Sequence, residues 1–352
     1  MSHRLAPVTG SRYSPMAVES PTRAETDAPQ LLTIVLPVHN EREVLGLTYE
    51  RLRRFGLELG QLDLDHELLF VNDGSTDGSS EILDQLAADD DRVGVIHLTR
   101  NFGHQAAVCA GLAAARGDAV VIMDADLQDP PEVLPTLIAP WRDGHQVVHA
   151  VRTKRKEGFA KRFAYWAFYR IYRRISDLDV PPDSGDFCLL DRSAVDLLNA
   201  LPERQRFVRG LRSWVGLKQT GVTYERAARE AGTPSYDFRG LVRLAIEGLV
   251  SFSATPLRLA SRLGLIAIIA SFVVGFWILL AAVVFDRTPA GWASLASLLL
   301  LLSSVQLFSL GVIGEYLARI FLETKGRPTY LVARTEGAPA STCPVAPERH
   351  RH

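Results

Sequence analysis

Two stretches of this chain contain no Asp, Glu, Lys, Arg or His: 23 residues from Leu263 to Phe285, and 27 from Thr288 to Gly314. A helix needs roughly 20 apolar residues to cross a hydrocarbon core of about 30 Å, so either run can span a membrane. The competing reading is a pair of helices buried in a soluble core. The link from Asp286 to Gly291 is short and polar and holds Pro289 and Gly291. The two runs therefore read as a helical hairpin with both ends on one side. Arg258 and Arg262 precede the first run, Arg319, Lys325 and Arg327 follow the second, and the link carries only Arg287. Basic residues collect on the cytoplasmic side of a membrane. The expected protein is multi-pass, in the inner (plasma) membrane, with its large N-terminal part in the cytoplasm.

The rest divides by composition. Residues 1–30 contain Pro, Ser and Thr but no apolar signal-peptide core, and read as a disordered tail, as do 336–352. The divisions expected are a soluble α/β domain at 31–236, an amphipathic juxtamembrane helix at 237–262, the two spans at 263–320 and a cytoplasmic tail at 321–352. With 47% apolar and 22% charged residues the chain is not globally disordered. A formal net charge of -1 argues against a nucleic-acid coat. Cys109, Cys188 and Cys343 have neither metal-like nor disulfide-like spacing, which fits a reducing compartment.

Within the soluble part, apolar β-branched runs alternate with helical periodicity. Strands are expected at Leu31–Leu36, Glu67–Val71, Val93–Leu98, Ala119–Met123 and Gln146–Val151, with helices near 42–59, 77–88 and 103–116. This alternation predicts a doubly wound, mostly parallel sheet, whose ligands bind beyond the C-terminal strand ends. Polar clusters sit at those ends: PVHNE from Pro37, NDGSTDGS from Asn72 and DADLQDPP from Asp124. The stretch from Asp73 to Asp77 reads equally well as a strand-to-helix turn with an N-cap. Asp124-Ala125-Asp126 could be an exposed acidic turn. On an extended segment, though, its two carboxylates point the same way, and with the Gln128 amide they make a hard oxygen site for Mg²⁺ or Mn²⁺. No GxxxxGK[ST] loop is present and no GxGxxG follows the first strand, which argues against a P-loop kinase and a dinucleotide dehydrogenase.

PVHNE, VNDGSTDGS, NFGHQAAVCAGLAAARGD, DADLQDPPE and SGDF (184–187) together resemble the inverting glycosyltransferase family two. More narrowly, they resemble its polyprenyl-phosphate glycosyltransferases, relatives of dolichyl-phosphate mannose synthase. The likeness runs from Leu31 to Tyr330 and includes the hairpin. It implies a GT-A (Rossmann-like) fold and transfer of a sugar from a nucleotide diphosphate, UDP- or GDP-linked, to a membrane-embedded polyprenyl phosphate. By resemblance, Pro37, Asn40, Glu41 and Val71 border the nucleoside and Asp73 reads the base. Asp124, Ala125, Asp126 and Gln128 hold metal and diphosphate. Arg152 faces donor or acceptor phosphate, Asp186 is the catalytic carboxylate, and Ser184, Arg209 and Arg212 contact phosphate. One departure is a lysine that the family often has before the tyrosine matched by Tyr236. Here Ser235 stands there, so any phosphate contact must come from elsewhere, with Arg239 as the candidate.

The acceptor side can be read from the residues alone. Nine basic side chains and one acid, Glu157, occupy 152–174, interleaved with seven aromatics. Such a segment suits the membrane interface, where Lys161 and Arg162 would meet the acceptor phosphate and the anionic leaflet. An RNA-binding patch is the competing reading; beside two spans, the expected partners are membrane and lipid, not nucleic acid. A second amphipathic helix is expected at 238–262. A phosphate monoester is largely ionised near neutral pH, with a second pKa of about 6, so its attack on the anomeric carbon hardly needs a base. Asp186 is then expected to position the acceptor or stabilise charge on the sugar ring. His39 and His104 fall near the sheet's functional edge and read as loop filling or polar packing. Two rival functions are a processive polysaccharide synthase and a non-catalytic scaffold. The Gln-x-x-Arg-Trp motif of the former is not matched by Gln205-Arg206-Phe207-Val208-Arg209, and the intact acidic clusters argue against the latter. Sugar and base are left open, and self-association through the membrane helices is an expectation carried by the family.

Overall fold

A strand covered on both faces must be apolar on both, and β1 (Gln30–Val38) shows the consequence. Leu32, Ile34, Leu36 and Val38 point into one core while Val35 points into the other. In β2 (Leu64–Asn72), Leu68 and Phe70 oppose Leu69 and Val71. In β4 (Ala119–Ile122), Ala119 and Val121 oppose Val120 and Ile122. The structure is a computed structural model that describes residues 30–61, 63–152, 184–204, 206–225, scattered positions between 257 and 280, and 291–337.

The remaining elements are α1 (Arg42–Gln61), α2 (Ser79–Asp89), β3 (Val93–Leu98), α3 (His104–Ala114), α4 (Leu134–Arg142), β5 (Val147–Arg152), β6 (Ser184–Asp191), α5 (Arg192–Ala200), α6 (Val208–Trp214), β7 (Gln219–Tyr224), α7 (Trp292–Thr324) and β8 (Val332–Glu336). Eight strands form one sheet in the order β7-β5-β6-β4-β1-β2-β3-β8. Helices α1, α2 and α4 cover one face, and α3, α5 and α6 the other. Pairs β1–β2, β1–β4, β2–β3 and β5–β7 are parallel, while β4–β6, β5–β6 and β3–β8 are antiparallel. The sheet is therefore mixed. Its parallel half is the expected doubly wound one, and β6 enters against the grain.

Helix α3 lies flush on the sheet because its residues are small. A Cβ on Gly111 would come within 2.2 Å of Val35 Cγ1. That close approach sets the height at which His104, the first residue of α3, stands over the strand ends.

The far edge corrects the expectation of a tail at 321–352. Val332–Glu336 is a strand that covers β3, and Arg334 pairs with Asp84 of α2 at 2.6 Å. An open β3 edge would leave a row of unpaired backbone groups. Preceding β8, α7 is long and apolar enough over Leu301–Thr324 to cross a membrane, and none of that stretch is buried. It starts four residues later and ends ten residues later than the uncharged run at 288–314. The first expected span falls largely outside the described residues; the positions described between 257 and 280 are helical.

Candidate active site

The parallel strands end in loops that hold one another. After β1, Asn40 takes a left-handed backbone (φ 58°), which asparagine tolerates better than most residues. Its amide donates to Ser75 Oγ (3.0 Å), and its side-chain oxygen accepts from the Thr76 amide (2.8 Å). The Glu41 carbonyl accepts from Val44 and Leu45, opening α1. After β2, Asp73 is 3% exposed and both its oxygens are taken by backbone amides, of Phe102 (2.7 Å) and Gly103 (2.9 Å). Asp73 thus fixes the loop that leads into α3.

The acidic loop after β4 is held from below. Thr48 Oγ1 of α1 donates to the Ala125 carbonyl at 2.7 Å, and Asp126 Oδ1 accepts from the Gln128 amide at 3.1 Å. Between them Leu127 is buried at φ 58°. A left-handed leucine costs about 1–2 kcal/mol, so surrounding packing imposes this turn. Burial pushes the Asp124 carboxyl up to about 6; Asp129, Asp186 and Asp126 add to the effect and His104 opposes it.

Opposite this loop stands Asp186, in β6. Arg209 of α6 clasps it, Nη2 to Oδ2 at 3.0 Å and Nε to Oδ1 at 3.4 Å. His104 Nε2 lies 3.4 Å from Asp186 Oδ2 and 3.8 Å from Asp124 Oδ1. Burial alone would raise the Asp186 carboxyl, but Arg209 above all, then His104 and Arg212, hold it well below the usual carboxylate range. Burial works against charge on His104 too. Asp186 and Asp124 nonetheless lift it to about 9, with Arg209 opposing, so the imidazole is cationic at neutral pH. Two acids, a histidine and an arginine drawn from four segments thus form one charge-compensated cluster.

Comparison with known proteins gives this cluster its context. Residues 33–198 match the family described as Glycosyl transferase family 2, and residues 255–320 match the GtrB C-terminal hairpin. An uncharacterized glycosyltransferase, YkcC, from Bacillus subtilis (strain 168) is 46% identical over 87% of this chain and 94% of its own length. The prophage bactoprenol glucosyl transferase homolog of Escherichia coli (strain K12) is 39% identical over 87% of this chain and 99% of its own. The bactoprenol glucosyl transferase of Shigella phage SfX is 41% identical over 86% and 98%. The chain belongs to glycosyl transferase family 2. It is a glycosyltransferase, and its mixed sheet is the GT-A-like fold of that class.

In this transferase several expected site residues stand elsewhere. Pro37 and Val71 are register partners in β1 and β2, and both are buried in the sheet, so they shape the edge without lining it. Arg212 is 1% exposed; it donates to the carbonyls of Asp186 (3.1 Å) and Gly185 (2.5 Å) and holds β6 in place of a ligand phosphate. Ser184, expected at a phosphate, is the first residue of strand β6. Arg209 reaches the site but through Asp186. Lys161, Arg162, Tyr236 and Arg239 lie outside the described residues.

Arg152, at the end of β5, does reach the site. Its Nε donates to Tyr224 Oη at 3.2 Å, and Nη2 lies 3.9 Å from Asp129 Oδ1. Sequence reasoning missed His104, Asp129 and Tyr224. His104 had a signal, since it follows Phe102-Gly103 at a strand-to-helix crossing on the ligand side; Tyr224 had none.

The donor set fits a hard divalent cation. Asp124 and Asp126 project from one loop, Asp124 has Asp129 and Asp186 as like-charged neighbours, and Gln128 follows. Among the described residues no cage of three acidic, histidine or cysteine ligands closes around a metal. Two carboxylates and an amide would leave positions on such a cation for a diphosphate.

Proposed function

We propose that this transferase moves a sugar from a nucleotide diphosphate to a polyprenyl phosphate, with inversion, at the cytoplasmic face of the inner membrane. The observation that carries the reading is the cluster of Asp124, His104, Asp186 and Arg209 at the C-terminal edge of the sheet, with Asp126 beside Asp124, in a chain that also has a membrane-length helix. Relatives named for bactoprenol glucosyl transfer support the acceptor class and make UDP-glucose the first donor to test. The hairpin match and the basic residues flanking the uncharged runs support a two-span anchor with the catalytic domain inside.

The acceptor phosphate, already ionised, attacks the anomeric carbon from the face opposite the departing nucleotide. Asp186, held ionised between Arg209 and His104, is too weak a base to matter. It positions the acceptor and offsets positive charge on the sugar ring. His104 keeps the facing carboxylates of Asp124 and Asp186 from repelling one another. Arg152 faces the departing diphosphate. Mg²⁺ or Mn²⁺ bound by Asp124, Asp126 and Gln128 would supply charge neutralisation on the leaving group.

A panel of UDP-glucose, UDP-galactose and GDP-mannose against undecaprenyl phosphate, read by mass of the lipid product, tests the reading. One donor should give a lipid-linked sugar, and Asp126→Asn should lower its rate by about 100-fold or more. EDTA should stop turnover and Mg²⁺ or Mn²⁺ restore it. No lipid product from any donor would sink the acceptor assignment, and full activity in excess EDTA would remove the metal.

A further inference from the structure

Strands β5 and β7 run parallel, and their last residues, Arg152 and Tyr224, are register partners. That pairing brings two side chains 72 positions apart together at the site's floor. Tyr224 is 5% exposed, and its ring meets Phe187 edge-on, centroids 5.5 Å apart at 84°. Its hydroxyl donates to Asp129 Oδ1 and accepts from Arg152 Nε. Asp129 is 1% exposed and follows the acidic loop by three residues from Asp126. The Tyr224 hydroxyl therefore links the acidic loop to the arginine.

Gly185 completes the arrangement. A Cβ there would sit 2.9 Å from Arg152 Nη2, so the guanidinium occupies the gap left by the missing side chain. With Nε committed to Tyr224 and Nη2 lying along the β6 backbone, the planar group has one orientation.

We propose that Tyr224 is a positioning residue for sugar transfer: its hydroxyl, steadied by Asp129, fixes the plane of the Arg152 guanidinium in the gap above Gly185. This rests on the reading above in which Arg152 faces the departing diphosphate. An arginine serving a transition state must be oriented before reaction, and a misplacement of about 1 Å can cost around 100-fold in rate. A tyrosine that merely filled space would do as well without its hydroxyl.

The test uses the full-length protein in detergent with UDP-glucose and undecaprenyl phosphate. Tyr224→Phe keeps the ring and should lower kcat about 10- to 100-fold while both KM values stay within about threefold, the pattern of an interaction made in the transition state. Gly185→Ala crowds Arg152 without touching Tyr224 or Asp129 and should give the same split. In an Arg152→Gln background neither change should cost anything further. A Tyr224→Phe loss that persists undiminished in that background overturns the positioning role and leaves Arg152's own role standing. Wild-type kcat in Gly185→Ala overturns it too, and this variant decides if Tyr224→Phe fails to fold. Wild-type kcat in Arg152→Gln itself would instead sink the phosphate-facing role of Arg152.

Discussion

Asp186 shows how environment assigns a carboxylate its task. A general base working near neutral pH needs a raised pKa; Arg209 and His104 drive this one down. Asp186→Asn should therefore lower kcat by about 100-fold, while the wild-type rate stays flat from pH 7 to about 8, below the titration of His104. An acidic limb seen only in the wild type would make Asp186 the base. His149 is the opposite case, a group buried for structure. It is fully buried in β5 with Nε2 2.9 Å from Gln219 Oε1, and burial, helped by Arg212, pushes it down to about 4. Between pH 6.5 and 4 the unfolded chain binds a proton that the folded one refuses, so stability falls as pH falls through this window. At about 1.4 kcal/mol per pH unit the loss is on the order of 3 kcal/mol. Asp124, raised to about 6, works the other way over part of this window, so the test is a difference: urea unfolding at stepped pH should lose stability toward low pH more steeply in the wild type than in His149→Gln, and equal slopes would remove His149 as a source. At this scale the acidic loop's place was legible in the sequence, because it follows an apolar strand directly. His104 was not, because its meaning depends on Asp186, 82 positions away.

Among the elements, α3 carries the site's geometry on the smallest side chains in the molecule. Ala106, Ala107, Ala110 and Gly111 face the core, and Val35 lies against Gly111. Gly111→Ala should overpack that contact, at a cost of about 1–3 kcal/mol. Because the helix must lift, His104 should also move off Asp186 and kcat should fall. Thermal unfolding together with a kcat measurement checks both. Destabilisation without loss of rate would mean that the height of α3 is not what places His104. The strand–helix alternation was readable because burial on both faces leaves an unbroken apolar run. Strand β8 was not: VARTE is five residues, mostly exposed, and exists as a strand only because β3 is there to pair with it.

On the scale of the whole molecule, the membrane-length helix returns directly to the catalytic domain. The Glu323 carboxylate accepts from the Arg204 amide at 3.0 and 3.1 Å, Thr329 Oγ1 donates to the Arg204 carbonyl at 3.0 Å, and the Thr99 amide donates to the Leu331 carbonyl at 2.9 Å. The bonds to Arg204 tie the end of α7 and the segment after it to the loop before α6, the helix that carries Arg209, and the Thr99 bond ties that segment to the loop after β3. A site held this way beside a bilayer would take its acceptor from the lipid side. Reversing Lys161 and Arg162 to Glu should then raise the KM for polyprenyl phosphate about tenfold and leave the donor KM nearly unchanged. A change in donor KM instead would move that segment to the donor side.

What the amino-acid order determined unaided were features written within one turn, one strand or one apolar run: the parallel half of the sheet, the acidic loop at a strand end and the two uncharged runs. Each depends on neighbours a few positions away, so periodicity and composition expose it. Strand order and register decided the rest. They set Arg212 behind Asp186 and buried Pro37 beside Val71. They closed Asp73 onto the loop of Phe102 and Gly103, and joined Asp129, Tyr224 and Arg152. Such contacts link residues from 23 to 95 positions apart. No local pattern encodes them, because the free energy that selects one pairing over another is released only when the whole sheet is assembled.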